Sequence, residues 1–366
     1  MATLDQLLLD RIHVATDQVA RGCLLAELAA YTARMGNYTA ASNLIRELRS
    51  EANLSSPSVS AWIMFAEGLV LLQDELNPLA LDRMVRGFSI ADSVRATEIS
   101  AQIASWIAHI SYNQNRYAEM SRWAGRCISR LSAQQHGTRA RICLMFADAH
   151  RYAGLFKNSN IWYQTARMHS TAIGDEAFLA SLMYNRAAYG ISRIRFESIS
   201  GDCDSSTASQ LMIEIDSALN YSAGTANTSA RFLQGMWKGR LLMLLKRHAE
   251  AEPLLRSALE NMPEARHLRL RVSLQSDLMV CDASVGRTEQ AKVWFNQIIG
   301  QDLLCLTGDD RAFALNQMAT ISKDLELGTV GIDLSGLLNK AQFTHVEEIE
   351  DLRANLANCN DYVDVP

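Results

Sequence analysis

Histidine, cysteine and paired aspartates are the residues of this chain that could do chemistry, and their spacing gives them little to do. His13, His109, His136, His150, His169, His248, His267 and His345 do not cluster. A zinc site needs three or four converging ligands, and the nearest pair, His13 with Asp17 one helical turn on, has no companions. Asp202 and Asp204 lie in Glu197-Ser-Ile-Ser-Gly-Asp-Cys-Asp-Ser-Ser-Thr207, which suggests a calcium loop. An EF-hand needs glycine at its sixth position and glutamate at its twelfth, and here those places hold Thr207 and Ile213. Cys23, Cys127, Cys143, Cys203, Cys281, Cys305 and Cys359 are odd in number with no CxxC pair, so they read as free thiols packed as small hydrophobes. The sequence has no GxxxxGK[ST] phosphate loop, no HExxH, no GxSxG elbow and no GxGxxG following a strand. The expectation is a chain that is not an enzyme and that uses neither metal nor cofactor.

The elements that would position any binding residues are helices. Only Pro57, Pro78, Pro253, Pro263 and Pro366 occur, and the long stretch between Pro78 and Pro253 has none, which disfavours short strands joined by proline-marked turns. Hydrophobic residues make up 48% and charged residues 20%, enough apolar surface to bury a core and to exclude disorder over most of the chain. A net charge of −5 and a pI near 5.9 argue against direct binding to nucleic acid or to an anionic membrane. Acidic residues stand in Met1-Ala-Thr-Leu-Asp-Gln-Leu-Leu-Leu-Asp10 where a signal peptide carries its positive end, and no apolar run approaches the ~18 residues of a spanning helix. A cytoplasmic protein is expected.

A repeat organises these helices. In Gly235-Met-Trp-Lys-Gly239-Arg-Leu-Leu-Met-Leu-Leu-Lys-Arg-His-Ala-Glu-Ala251-Glu-Pro-Leu-Leu255-Arg-Ser-Ala258, followed by Pro263, small residues and one bulky residue fall at fixed intervals. The register recurs in Ala29, Gly36, Tyr38 and Ala41, in Ala108, Tyr117, Ala124 and Cys127, in Ala147, Gly154, Phe156, Tyr163 and Ala166, and in Gly286, Ala291 and Phe295. Trp123, Trp162 and Trp294 recur in phase with it. This pattern resembles the tetratricopeptide repeat over about residues 20–330. Helix-turn points near 36, 75, 115, 154, 194, 246 and 286 give a period of roughly 40 against the family's usual 34. Such lengthened repeats look like those of bacterial regulatory proteins, including the sensor domain of the maltose-regulon activator and the peptide-sensing response-regulator phosphatases.

The resemblance implies an all-α fold, a right-handed solenoid of about seven antiparallel helix pairs with a C-terminal helical cap. Residues 1–300 would form the superhelix, with an irregular loop near 196–208 in which Ser205, Ser206 or Thr207 caps the next helix. Residues 301–366 would supply capping helices, Asp309–Leu327 and Leu334–Asn358, with Gly328, Gly331 and Gly336 around their junction, and a short acidic tail. Trp62 and the in-phase tryptophans read as core, and Trp106 and Trp237 share a less settled position.

In the resembled family the first helix of each pair lines a concave groove that holds a partner segment. Carried over residue by residue, the groove takes Gln102, Ser105, His109, Tyr112 and Asn113 from one repeat and Arg141, Asp148, Arg151 and Tyr152 from the next. Asn185, Tyr189 and Arg193 follow, then Leu233, Met236, Arg240 and Met243. Arginine suits such a groove because its planar fork pairs with carboxylate or phosphate, so the implied partner is a protein or peptide bearing acidic or phosphorylated groups. With only six lysines among 35 basic residues, the same arginines also fit solvated helix faces paired with Glu or Asp. Two functions follow: an interaction scaffold or adaptor, and a ligand- or peptide-responsive regulator. No DNA-reading or cyclase segment follows residue 300, which favours the scaffold or a regulator acting on a separate chain.

Overall fold

The computed structural model describes residues 3–50, 56–72, 77–201, 204–224, 231–262, 268–327 and 332–359. Among them are seventeen α-helices, a 3-10 turn at Leu303–Cys305 and no strand. A short α1 (Leu4–Val14) precedes the antiparallel pairs α2 (Gln18–Arg34) and α3 (Tyr38–Ser50), α4 (Pro57–Leu71) and α5 (Pro78–Ser93), α6 (Thr97–Asn113) and α7 (Tyr117–Ile128), and α8 (His136–Tyr152) and α9 (Phe156–Ala172). Then come α10 (Glu176–Glu197) with α11 (Ser205–Gly224), α12 (Arg231–Leu244) with α13 (His248–Glu260), α14 (Leu268–Ser284) with α15 (Thr288–Ile299), and α16 (Gly308–Asp324) with α17 (Leu334–Ala357). The chain divides into two compact units, one of residues 1–182, 224–229 and 351–366, the other of residues 183–223 and 230–350.

The tight turns are one device used repeatedly. A residue with positive φ follows the helix: Gly36, Asn115, Gly154, Lys246, Gly286 and Glu326 between the helices of a pair, Arg95 and Gly174 between pairs. The amide after it donates back to a carbonyl of the last helical turn, as in Arg116 to Ser111 at 2.8 Å, Leu155 to His150 at 2.7 Å and Arg287 to Asp282 at 2.8 Å. This arrangement satisfies carbonyls that the helix end leaves unpaired and reverses the chain in two or three residues. Glycine bears the left-handed conformation without a Cβ penalty, and the four non-glycine positions carry some strain.

Small residues set the crossings. Ala147, Ala166 and Ala251 are wholly buried and Ala258 nearly so. A Cβ at Gly239 would stand 2.8 Å from Leu255 Cγ and 3.3 Å from the Ala251 carbonyl, so α12 and α13 meet too closely there for any side chain. Gly68 does the same between α4 and α5, where Met84 Cγ would lie 2.7 Å away. Trp62 and Trp162 are buried, whereas Trp123 and Trp294 are half-buried, Trp294 donating to Asp282 at 2.9 Å.

Two local expectations are corrected. No turn falls at 194: α10 continues to Glu197 because Ile194 and Arg195 are both buried, and nothing in Arg193–Phe196 breaks a helix. The cap of α11 is Asp204 rather than a hydroxyl residue, its carboxylate accepting from the amides of Ser206 at 3.2 Å and Thr207 at 3.0 Å. The turn point at 75, Asp202, Cys203, Pro263, Gly328, Gly331 and the tail from 360 lie outside the described residues.

Candidate functional site

Helix α8 is the centre of the site in the first unit. Its sequence has apolar residues on every side, Ile142, Cys143, Leu144, Met145, Phe146 and Ala147, and every residue from Thr138 to Arg151 is buried. Polar side chains carried in with them must find partners or remain desolvated. Asp148 accepts a hydrogen bond from the Tyr163 hydroxyl at 2.6 Å. His150 Nδ1 meets the Phe146 carbonyl at 2.8 Å, and Arg139 Nε donates to Ser132 O at 3.2 Å.

Arg141 differs. Its guanidinium carbon sits 4.0 Å from the Trp106 ring centre on α6 and 5.0 Å from that of Phe178 on α10, so aromatic rings flank the cation. It makes no hydrogen bond and no ion pair with any described residue, although only 8% of it is exposed. Burial pulls its pKa down to about 9, the charge of Arg34 adds to the effect, and Asp175 and Asp148 oppose it. Arg141 is therefore a cation at neutral pH with a desolvated head.

A cleft of about 190 Å³ opens beside it, lined by Ala33, Arg34, Tyr38, Leu69, Leu72, Trp106, Arg141, Ala177 and Ser181. Four first helices of pairs, α2, α4, α6 and α8, reach it together with Tyr38 at the start of α3 and the start of α10. Arg34 is already neutralised, its Nη2 donating to Asp175 at 2.7 Å. The same Asp175 caps α10 by accepting from the Phe178 amide at 3.0 Å, so one carboxylate fixes both the arginine and the ring. Sequence reading did not select Arg34. Its position two residues before Gly36, matching Tyr152 before Gly154, was the available signal.

The other groove residues are dispersed by their surroundings. His109 is buried near Arg141, with its ring centre 6.3 Å from that of the buried Tyr112 and its Nδ1 without a hydrogen bond. Desolvation and the Arg141 charge lower its pKa to about 3, so it offers no positive charge to an acidic partner. Asn113 is exposed at the end of α6, and Tyr152, Asn185 and Tyr189 are half-buried. Arg151 is buried in the last turn of α8. Arg193 pairs with Glu197 one turn on at 2.7 Å on a partly exposed face, as a solvated helix surface would have it.

Arg240 lies in a closed ionic cluster of the second unit, fully buried, instead of on an open face. Its Nε donates to Asp277 at 2.8 Å, a second nitrogen donates to Ser273, and its head lies over the Trp237 ring at 4.8 Å. Arg195 bridges Asp277 and Asp310 at 2.8 Å each, and Gln317 donates to Asp277 at 3.2 Å. Helices α10, α12, α14 and α16 each contribute. Arg195 is separated from Asp277 by 82 residues and from Asp310 by 115, so no local pattern announces the cluster. A buried arginine engaged by Asp277 and Ser273, with Asp310 3.9 Å from a third nitrogen, is held by the fold instead of facing an open groove.

Among the described residues, no group of three or more histidine, cysteine, aspartate or glutamate side chains is placed to hold a metal ion, and no helix is long and apolar enough to cross a membrane. No family model matches this chain, and no curated protein matches it in sequence. Its fold is similar to that in the crystal structure of Rap protein complexed with Competence and Sporulation Factor, with a TM-score of 0.58, 11% identity, and coverage of 94% of this chain and 92% of that one. The all-α, tetratricopeptide-like helical-repeat class is thereby defined for this chain, and at this identity the likeness speaks for the fold alone.

Proposed function

We propose that the chain is a non-enzymatic interaction protein, a scaffold or adaptor that receives a segment of a partner protein against its first helices. The observation that carries this reading is the cleft of the first unit, where four helix pairs and the start of α10 supply two arginines, a tyrosine and a tryptophan to one small volume. The partner segment carries acidic or phosphorylated groups, because Arg141, which lines the cleft, has no ion pair with any described residue. Neither nucleic acid nor membrane is assigned as a partner, in keeping with the net charge of −5, and the protein acts in the cytoplasm.

A second reading, a peptide- or ligand-responsive regulator acting on a separate effector chain, is favoured by the likeness to Rap protein, a protein solved in complex with a factor. Both readings are tested on the intact chain. Affinity capture followed by mass spectrometry should recover one dominant protein partner, and recovery of none would remove the scaffold. A thermal-shift screen with small-angle scattering separates the two, because a regulator changes its dimensions on binding a small ligand or peptide and a passive scaffold does not.

A further inference from the structure

We infer that a cavity in the second unit, between the end of α15, the 3-10 turn, α16 and the start of α17, binds a small amphiphile with an aliphatic body and a monoanionic head. It does not depend on the interaction reading, which rests on the other unit. The cavity's volume of about 380 Å³ falls within the roughly 300–1,000 Å³ of small-molecule sites, which are mostly apolar with a few polar groups. Leu315, Met318, Leu334 and Ala341 line it as buried side chains. Leu304, Ile332 and Leu337 line it too, yet all three are exposed, Leu304 to 75%. Single apolar side chains on a surface are ordinary, but three converging on one cavity leave a joined apolar surface in water. An aliphatic occupant covers it.

Charge decides the other end of the occupant. Arg311 and Lys340 line the same cavity, and neither side chain has a hydrogen bond or ion pair with any described residue. Asp310, beside Arg311 in sequence, is already paired with Arg195 at 2.8 Å. Among the described lining residues the one carboxylate is Asp302, which caps the 3-10 turn by accepting from the Leu304 amide at 2.9 Å. Two cations against one carboxylate leave a single positive charge, which a monoanion balances and a cationic amphiphile worsens. Arg311 is half-buried, so an anion beside it is less screened than on an open surface. Size points to a free small molecule over a protein partner. Three rim side chains fall far short of the roughly 800 Å² that each partner buries in a stable protein interface.

The probes are octanoate, butyrate and octylammonium, titrated into the full chain. The readout is the methyl resonance of Met318, a fully buried lining residue, assigned with Met318→Leu. Octanoate should shift that resonance and bind roughly thirtyfold or more tightly than butyrate, because four more methylenes leave water. It should also bind about fivefold or more tightly than octylammonium, the order that a partly exposed charge pair is worth. Leu337→Asp should weaken octanoate about tenfold by making the rim polar and acidic. Arg311→Gln combined with Lys340→Gln should erase the preference for octanoate over octylammonium and keep the dependence on chain length. Leu337 and Lys340 are exposed, so both can change without loss of the fold, and Leu304→Asp repeats the rim test at a second exposed position. A Met318 methyl that octanoate does not move, equal binding of octanoate and butyrate, or octanoate binding unchanged in both rim variants would overturn the site. Octylammonium binding as tightly as octanoate would overturn the anionic head.

Discussion

At the scale of single residues, the chain tolerates buried charge in two different ways, and each has a measurable consequence. The Arg240–Asp277–Arg195–Asp310 cluster pairs its charges internally. Removing one member should strand the others: Arg240→Met is expected to cost about 3–5 kcal/mol, measured by urea unfolding. Adding Asp277→Leu to Arg240→Met should cost less than the sum of the two single changes, because the second removes the excess negative charge that the first left in the cluster. Strict additivity would mean that the cluster is not coupled. His109 is the contrasting case, neutral because burial and Arg141 hold its pKa near 3. The unfolded chain takes up that proton below about pH 6.5 and the folded chain does not, so stability falls as pH drops from 6.5 towards 3. His109→Gln should remove up to about 1.4 kcal/mol per pH unit of that slope, read from unfolding free energies at a series of pH values.

Elements are held by turn geometry and by close crossings. At Gly286 the φ of 83° is left-handed and no atom lies within 4 Å of where a Cβ would stand. Gly286→Ala therefore isolates backbone strain from packing and should cost about 1 kcal/mol, the left-handed penalty less the entropy that alanine saves. The crossings behave differently, because space is what they lack. Enlarging Ala147, Ala166, Ala251 or Ala258 to leucine should overpack the interface and cost about 1–3 kcal/mol, measured by thermal or chemical unfolding. A neutral effect at all four would remove the small-residue account of the helix pairs. Much of this was legible beforehand. Glycine, alanine and a bulky partner at fixed intervals are local signals, and a helix end read from them needs no distant contact. The register failed at 194, where burial of Ile194 and Arg195 by other helices prolonged α10.

For the molecule as a whole, cysteine reactivity reports how far the packed helices must open. Cys127, Cys143, Cys281 and Cys359 are buried, and no described cysteine is in a disulfide. Burial pushes the Cys143 thiol up to about 12 and, with help from Glu27, Cys23 to about 11, and it raises Cys127 and Cys281 further still. A disulfide-exchange reagent attacks through the thiolate, so the native protein should react slowly, at rates set by opening. In denaturant all seven cysteines of the chain should titrate as free sulfhydryls. Stoichiometric zinc that is lost on cysteine substitution would contradict this.

By itself the sequence determined the helical class, the sites of most turns and the small residues at the crossings, because each of these depends on residues within a few positions of one another. It also identified Arg141, His109 and Arg240 as worth attention, but not their states. Whether an arginine on a helix faces water, an aspartate or nothing depends on side chains that the fold brings from elsewhere. For Arg240 the partner is Asp277, 37 residues on, so the arginine is spent within the fold. For Arg141 the fold brings two aromatic rings and, among the described residues, no acceptor, while Asp175 goes to Arg34, 141 residues away. Tertiary structure decided which cation was left unmatched, since charge compensation at close range is a property of neighbours in space and not in sequence.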